Sequence, residues 1–209
     1  MNQKAISSIQ AVRNMCYACY RPATSCMCKH ITPLKTRTRF VILMHPKEFR
    51  KTKNGTGHFT NLSLVKCEMH IGIDFSQHPK INEILSDPTN ACYVVYPSQA
   101  SINLNKSSIA QKGKNTVLFL IDATWPCSKS MLAHSPNLNA LGKVSFTHTK
   151  VSAFDFKKQP KEYCLSTMES AHCILELFNA SKDETLDKKR LDTFLLPFQK
   201  MVAYQTGCA

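Results

Sequence analysis

Residues able to do chemistry gather at three places in this 209-residue chain. The first is TVLFLIDATWP (116–126), where the apolar run Val117–Ile121 ends abruptly in Asp122, Ala123, Thr124 and Trp125, the one tryptophan. An acid can take a proton, a hydroxyl can hold a polar ligand, and an indole ring can stack on another flat ring. The second is CYACYRPATSCMC, where Cys16, Cys19, Cys26 and Cys28 read C-x2-C-x6-C-x-C. Two short turns converge four thiolates, which suits a closed, structural tetrahedral zinc. An iron–sulfur cluster also takes four thiolates, and free thiols are the third reading. A thioredoxin-like C-x-x-C fits poorly, because no strand–helix context surrounds it. The third place is Leu165-Ser166-Thr167-Met168-Glu169, whose S-x-x-E matches a capping box at a helix start.

The elements that must position these groups alternate between strand and helix. Strands are expected at 39–45, 69–75, 91–97, 116–122 and 142–148, and helices at 60–66, 80–86 and 126–135, with Pro126 in a first turn. Behind the capping box, Ala171, Ile174, Leu175 and Phe178 repeat at helical spacing. A further helix carries Leu186, Leu191, Phe194, Leu195 and Phe198, with Pro197 breaking or kinking its end. The pattern predicts an α/β fold: a mostly parallel sheet with helices on both faces. Residues 1–36 read as a small four-cysteine module, and residues 37–209 as the α/β domain. Ligands of such sheets gather at the carboxyl ends of the strands, where Tyr96-Pro97-Ser98 and Ile121-Asp122-Ala123-Thr124-Trp125 fall.

Charge points to the partner. The chain carries a formal +13, and the first 53 residues hold eleven Lys and Arg against the single acid Glu48. An imbalance this lopsided implies a polyanion, and nucleic acid or an anionic membrane would each serve. No convincing basic amphipathic helix supports the membrane. Arg21, Lys47, Arg50, Lys51, Lys53, Lys157 and Lys158 are the candidate phosphate contacts, with solvated surface as the plain alternative for each. No apolar run is long enough to span a membrane, and the first residues lack the apolar stretch of a signal peptide, so a cytoplasmic protein is expected. Ten cysteines then argue against a disulfide framework.

Several chemistries lack support. With six glycines in all, no G-x-G-x-x-G follows a strand and no G-x-x-x-x-G-K-[ST] occurs. Neither H-E-x-x-H nor G-x-S-x-G is present. Asn54-Gly55-Thr56-Gly57, the one glycine-rich spot, reads equally as a phosphate-facing loop or an ordinary turn.

Taken in order, these segments resemble the DTW-domain family of tRNA-uridine aminocarboxypropyltransferases. The resemblance runs through the cysteine cluster, TRTRFVILMHPKE (36–48), VVYPS (94–98), the D-x-T-W of Asp122–Trp125, QPKEYCLSTMESA (159–171) and FLLPFQKMVAYQ (194–205). It implies a SPOUT-like fold with a knotted C-terminal cofactor site, and S-adenosylmethionine as donor. The 3-amino-3-carboxypropyl group would pass to N3 of a uridine in tRNA, releasing methylthioadenosine. In that reaction Asp122 is the expected base, with a helix cap or a cofactor contact as its alternatives. Tyr96, Pro97, Ser98, Ile121, Ala123, Thr124, Trp125, Leu165, Ser166, Thr167 and Glu169 would line the donor site. Trp125 either stacks on a base or packs in the core, and burial beside a strand favours packing. The competing functions are a SPOUT-type RNA methyltransferase and a zinc-containing RNA-binding protein without catalysis.

Overall fold

The computed structural model describes residues 14–50, 55–148 and 165–207. Its centre is a six-stranded sheet, parallel throughout. In chain order the strands are β3 (Arg39–Met44), β4 (Cys67–Ile71), β5 (Asn90–Val95), β6 (Ile102–Asn103), β7 (Asn115–Asp122) and β8 (Gly142–Ser145). They lie side by side as β4-β3-β7-β5-β8-β6. A separate antiparallel pair, β1 (Met15–Cys16) and β2 (Arg21–Pro22), belongs to the cysteine module.

The central strands are apolar without interruption because both faces are covered. Side chains alternate across a strand, so one sequence feeds two cores. Phe40, Ile42, Leu118 and Leu120 enter one core, with Phe59 of helix α2 (Thr56–Ser63) and Ile174 of α6 (Thr167–Ala180). Helix α8 (Leu196–Thr206) adds Phe198 and Met201 there. Val41, Leu43, Val117 and Phe119 enter the other. Helix α3 (Pro79–Ser86) and helix α4 (Trp125–His134) cover that side with Ile81, Ile84, Met131 and Leu132. The short helices α1 (Pro46–Phe49), α5 (Pro136–Asn139) and α7 (Lys188–Thr193) complete the set.

The cysteine module is docked rather than tethered. Cys19, Met27 and Leu34 are members of the first core. Leu34 donates its N–H to Ser63 and bridges Leu64, which ties the module's exit to the end of α2.

Helices α2, α4 and α6 all begin at the carboxyl edge of the sheet. Helix α4 follows β7 directly. Helix α2 ends at Ser63, just before β4 begins, so its start lies at the opposite edge. Beyond the far end of α6, Glu184 accepts from the backbone N–H of Thr38 at 2.7 Å and of Arg37 at 2.9 Å, beside the start of β3. Fourteen helical residues span about 21 Å, roughly the length of β3, which carries the first turn of α6 to the carboxyl edge.

Some elements differ from expectation. Helix α2 begins four residues before the expected 60–66 and ends three residues before it, where Leu64 extends to bridge Leu34. Strand β4 stops at Ile71; beyond it, Gly72 donates its N–H to Met44 at 3.0 Å, and the chain turns. Pro197 does not break a helix end: it sits in the first turn of α8, where its missing N–H costs nothing. Strand β6 and helices α1 and α5 were not anticipated; each is four residues or shorter.

Candidate active site and metal centre

Strand β7 delivers Asp122 to the carboxyl edge in register with Met44. The backbone N–H of His45 donates to the Asp122 carbonyl at 3.0 Å, locking the two strand ends together. His45 is 6% exposed, and its Nδ1 accepts the Lys47 N–H at 3.1 Å, capping α1.

The Asp122 carboxylate lies against the first turn of α2. A Cβ built on Gly57 would stand 2.2 Å from Asp122 Oδ2 and 2.6 Å from Met44 Cε. Only a residue without a side chain leaves room for the carboxylate there. A helix start favours negative charge through its unpaired N–H groups and macrodipole. The cap position of α4 is held by Thr124, whose side chain makes no cap hydrogen bond.

Trp125 opens α4 with 46% of its surface exposed. This corrects the expectation that it packs in the core: the strand ends at Asp122, and Thr124 and Trp125 already stand clear of the sheet. Its ring meets that of Tyr96 edge to face, 5.9 Å between centroids. The Tyr96 N–H donates to Val144 at 2.9 Å, fixing the loop in which Pro97 and Ser98 are exposed. The structure therefore brings Tyr96 and Asp122–Trp125 together on one edge. The start of α6 shares that edge, with Leu165, Ser166 and Thr167 half-buried. The capping box is complete: Ser166 N–H donates to Glu169 Oε2 at 2.8 Å, and Glu169 N–H to Ser166 Oγ at 3.3 Å. Glu169 thus holds the helix start, 8% exposed.

The four cysteines converge. All four Sγ atoms lie within 4.8 Å of one another, with Cys16–Cys28 at 3.7 Å and Cys19–Cys26 at 3.8 Å. A tetrahedral ion with metal–sulfur bonds of about 2.3 Å sets its ligands about 3.8 Å apart. An iron–sulfur cluster spreads four thiolates over two or more irons and needs wider spacing. The thiols therefore fit one ion. Backbone N–H groups of Cys19 and Ala18 bring the Cys16 thiol down to about 6, while burial raises Cys19 and Cys28.

Arg21 is corrected by its burial. It is 4% exposed, its Nε donates to the Ser25 carbonyl at 2.8 Å, and its guanidinium lies 6.0 Å from the centre of the Phe59 ring. Burial lowers its affinity for the proton, and the neighbouring Cys19 opposes that shift. A side chain so enclosed is held against the module's own turn and the Phe59 ring. Lys47 and Arg50 are exposed around α1, on the edge that carries Asp122. Lys51, Lys53, Lys157 and Lys158 lie outside the described residues.

Sequence reasoning missed Gly57, His45 and the ring neighbours of the cysteine turn. The glycine-rich spot was the signal for Gly57, and the His-Pro step at a strand end was the signal for His45.

Residues 13–206 match the family described as the DTW domain. A Drosophila melanogaster protein named tRNA-uridine aminocarboxypropyltransferase 2 is 33% identical over 166 residues, which cover 76% of this chain and 64% of that protein. A Mus musculus protein of the same name is 24% identical over 196 residues, covering 92% and 64%. No solved structure matches. The chain belongs to the DTW-domain family, and the matched regions span 64% of these curated relatives' length.

Proposed function

We propose that this protein is a tRNA-uridine aminocarboxypropyltransferase. The observation that carries the reading is the Asp122 carboxylate set against the first turn of α2, at the carboxyl edge where α4 and α6 also begin. The family membership and the printed names of the relatives support it.

S-adenosylmethionine supplies the 3-amino-3-carboxypropyl group as an electrophile: a bond from uridine N3 to its terminal carbon forms as the carbon–sulfur bond breaks, and neutral methylthioadenosine leaves. The chain's part is to align N3 with that carbon and to accept the N3 proton. Asp122 is the proposed base. The start of α6 presents N–H groups suited to the donor's carboxylate. The exposed Trp125 ring, braced edge to face by the half-buried Tyr96, offers an apolar face for a purine. Lys47 and Arg50 contribute charge for the tRNA backbone, extended by Lys51, Lys53, Lys157 and Lys158.

The same reading assigns zinc to Cys16, Cys19, Cys26 and Cys28 as a structural ion, with residues 1–36 as its module and residues 37–209 as the catalytic unit. It extends to a SPOUT-like knotted donor site and to a cytoplasmic enzyme. Among the described residues no helix is long and apolar enough to cross a membrane.

The test is incubation with a tRNA pool and S-adenosylmethionine, followed by nucleoside mass spectrometry. Aminocarboxypropyluridine together with methylthioadenosine is expected. A methylated nucleoside would replace this reading with a methyltransferase, and binding of tRNA without either product would leave a non-catalytic RNA-binding protein.

A further inference from the structure

Three rings meet between the cysteine module and the carboxyl edge. Tyr20 lies 5.0 Å from His58 and 5.5 Å from Phe49, and Phe49 lies 5.5 Å from His58, centroid to centroid. Each comes from a different element. Tyr20 follows Cys19, Phe49 ends α1, and His58 is in the first turn of α2.

Two local penalties fall in this small cluster of tilted rings. Tyr20 has φ +57, a left-handed conformation that bulky side chains avoid. The cysteine turn enforces it, for the Tyr20 N–H donates to the Cys16 carbonyl at 2.8 Å. His58 is 3% exposed, and its Nε2 has no hydrogen-bond partner among the described residues. Burial lowers its basicity, which keeps the ring neutral. Ordinary core packing does not account for the stack. Tyr20 is 40% exposed, and neither it nor Phe49 belongs to either apolar core. Backbone outliers and unmet polar groups concentrate where position matters more than stability.

The position at stake is that of α2's first turn. Its cap is Gly55, which offers no side chain to hold it. His58 is bonded to Gly57, and Gly57 is the residue that the Asp122 carboxylate rests on. A shift of this turn therefore moves the surface against which the carboxylate is set.

We propose that Tyr20 is a positioning residue: seated by the cysteine turn, its ring holds the first turn of α2 through His58 and Phe49, and so places the Asp122 carboxylate. The proposal rests on the transferase reading for its kinetic consequences, but not for its structural one.

Full-length Tyr20→Ala and Tyr20→Phe separate the outcomes. Tyr20→Ala is expected to lower kcat by at least about tenfold, with KM for S-adenosylmethionine and tRNA changed less than about twofold and bound metal retained. Tyr20→Phe keeps the ring and is expected to restore kcat. Amide shifts of residues 56–58 and Asp122 should move in Tyr20→Ala and return in Tyr20→Phe, a readout independent of turnover. Wild-type kcat in Tyr20→Ala, unmoved shifts, or a rise in tRNA KM alone would overturn the proposal. Equal damage from Tyr20→Phe would overturn it too, by assigning the effect to the hydroxyl. If Tyr20→Ala loses its metal, Phe49→Leu probes the stack away from the cysteines, and unchanged kcat with unmoved shifts there has the same force. A wild-type protein that forms no aminocarboxypropyluridine removes the transferase reading alone; the amide shifts still decide this one.

Discussion

Replacing Gly57 with alanine adds one methyl group at the point where α2 meets β7. That methyl would stand 2.2 Å from Asp122 Oδ2, against about 3.4 Å for ordinary contact, so the oxygen must retreat by about 1.2 Å. The Met44 methyl, 2.6 Å away, is the end of a flexible chain and yields more cheaply. A misplacement near 1 Å costs about a hundredfold in rate, and loss of a general base about a hundred- to ten-thousandfold. Stability moves much less. Overpacking costs about 1–3 kcal/mol, while alanine in a helix offsets up to about 1 kcal/mol of that relative to glycine. Gly57→Ala should therefore remain folded and lose about a hundredfold in kcat, approaching Asp122→Asn. Turnover is followed as methylthioadenosine release and aminocarboxypropyluridine in digested tRNA, with melting temperature and bound metal measured on the same preparation. A Gly57→Ala enzyme with kcat within about twofold of wild type would refute the reasoning: the carboxylate would then either sit elsewhere during the reaction or not take the proton.

Other expectations follow from the same geometry. The protein as purified should carry one zinc per chain by elemental analysis. Cys19→Ser should release it and cut the melting temperature sharply, because Cys19 is both a proposed ligand and 1% exposed in the first core; a full complement of metal in that variant would count against the four-thiolate site. Trp125, the sole tryptophan and half exposed at the proposed donor ledge, should change its emission as S-adenosylmethionine saturates the protein. An unaltered spectrum at saturation, established by calorimetry, would move the donor elsewhere. His58→Phe should stabilise the fold by about 1–3 kcal/mol by removing a buried nitrogen that has no partner among the described residues. It should also flatten the acid side of the stability profile. His58 is less basic folded than unfolded, so below the ordinary histidine value of about 6.5 the unfolded chain binds the extra proton and stability falls with pH. Denaturant midpoints between about pH 7.5 and 5 compare the two slopes, and equal slopes would contradict the assignment.

The sheet was largely legible because its strands are buried on both faces. Runs such as FVILM and VLFLI have no polar alternation to mislead, and their ends at His45 and Asp122 change character within one residue. The capping box of α6 was legible for a similar reason: Ser166 and Glu169 satisfy one another over three residues, a purely local matter. Elements whose existence depends on distant partners were harder. Strand β6 is two residues held by β8, forty residues on, and α2 was displaced because Leu64 pairs with Leu34 across the module boundary. The burial of Arg21 was illegible by the same logic. Its charge counts equally toward the basic excess wherever it points, and only the fold reveals that it is buried against Ser25 and the Phe59 ring.

The candidate site divides along that line. Asp122, Thr124 and Trp125 announced themselves through type and spacing, since an acid, a hydroxyl and an indole at the end of an apolar strand are poor choices for packing alone. What leaves room for the Asp122 carboxylate, however, is the hydrogen on Gly57, sixty-five residues earlier, and a glycine between a threonine and a histidine carries no mark of that role. Tyr20 is harder still, because its left-handed backbone and its ring partners depend on where four cysteines meet. Both residues leave or fill space next to the groups proposed to do the chemistry. Space has no letter in the sequence, so the part of a site that supplies reagents can be read directly, and the part that aligns them requires the fold.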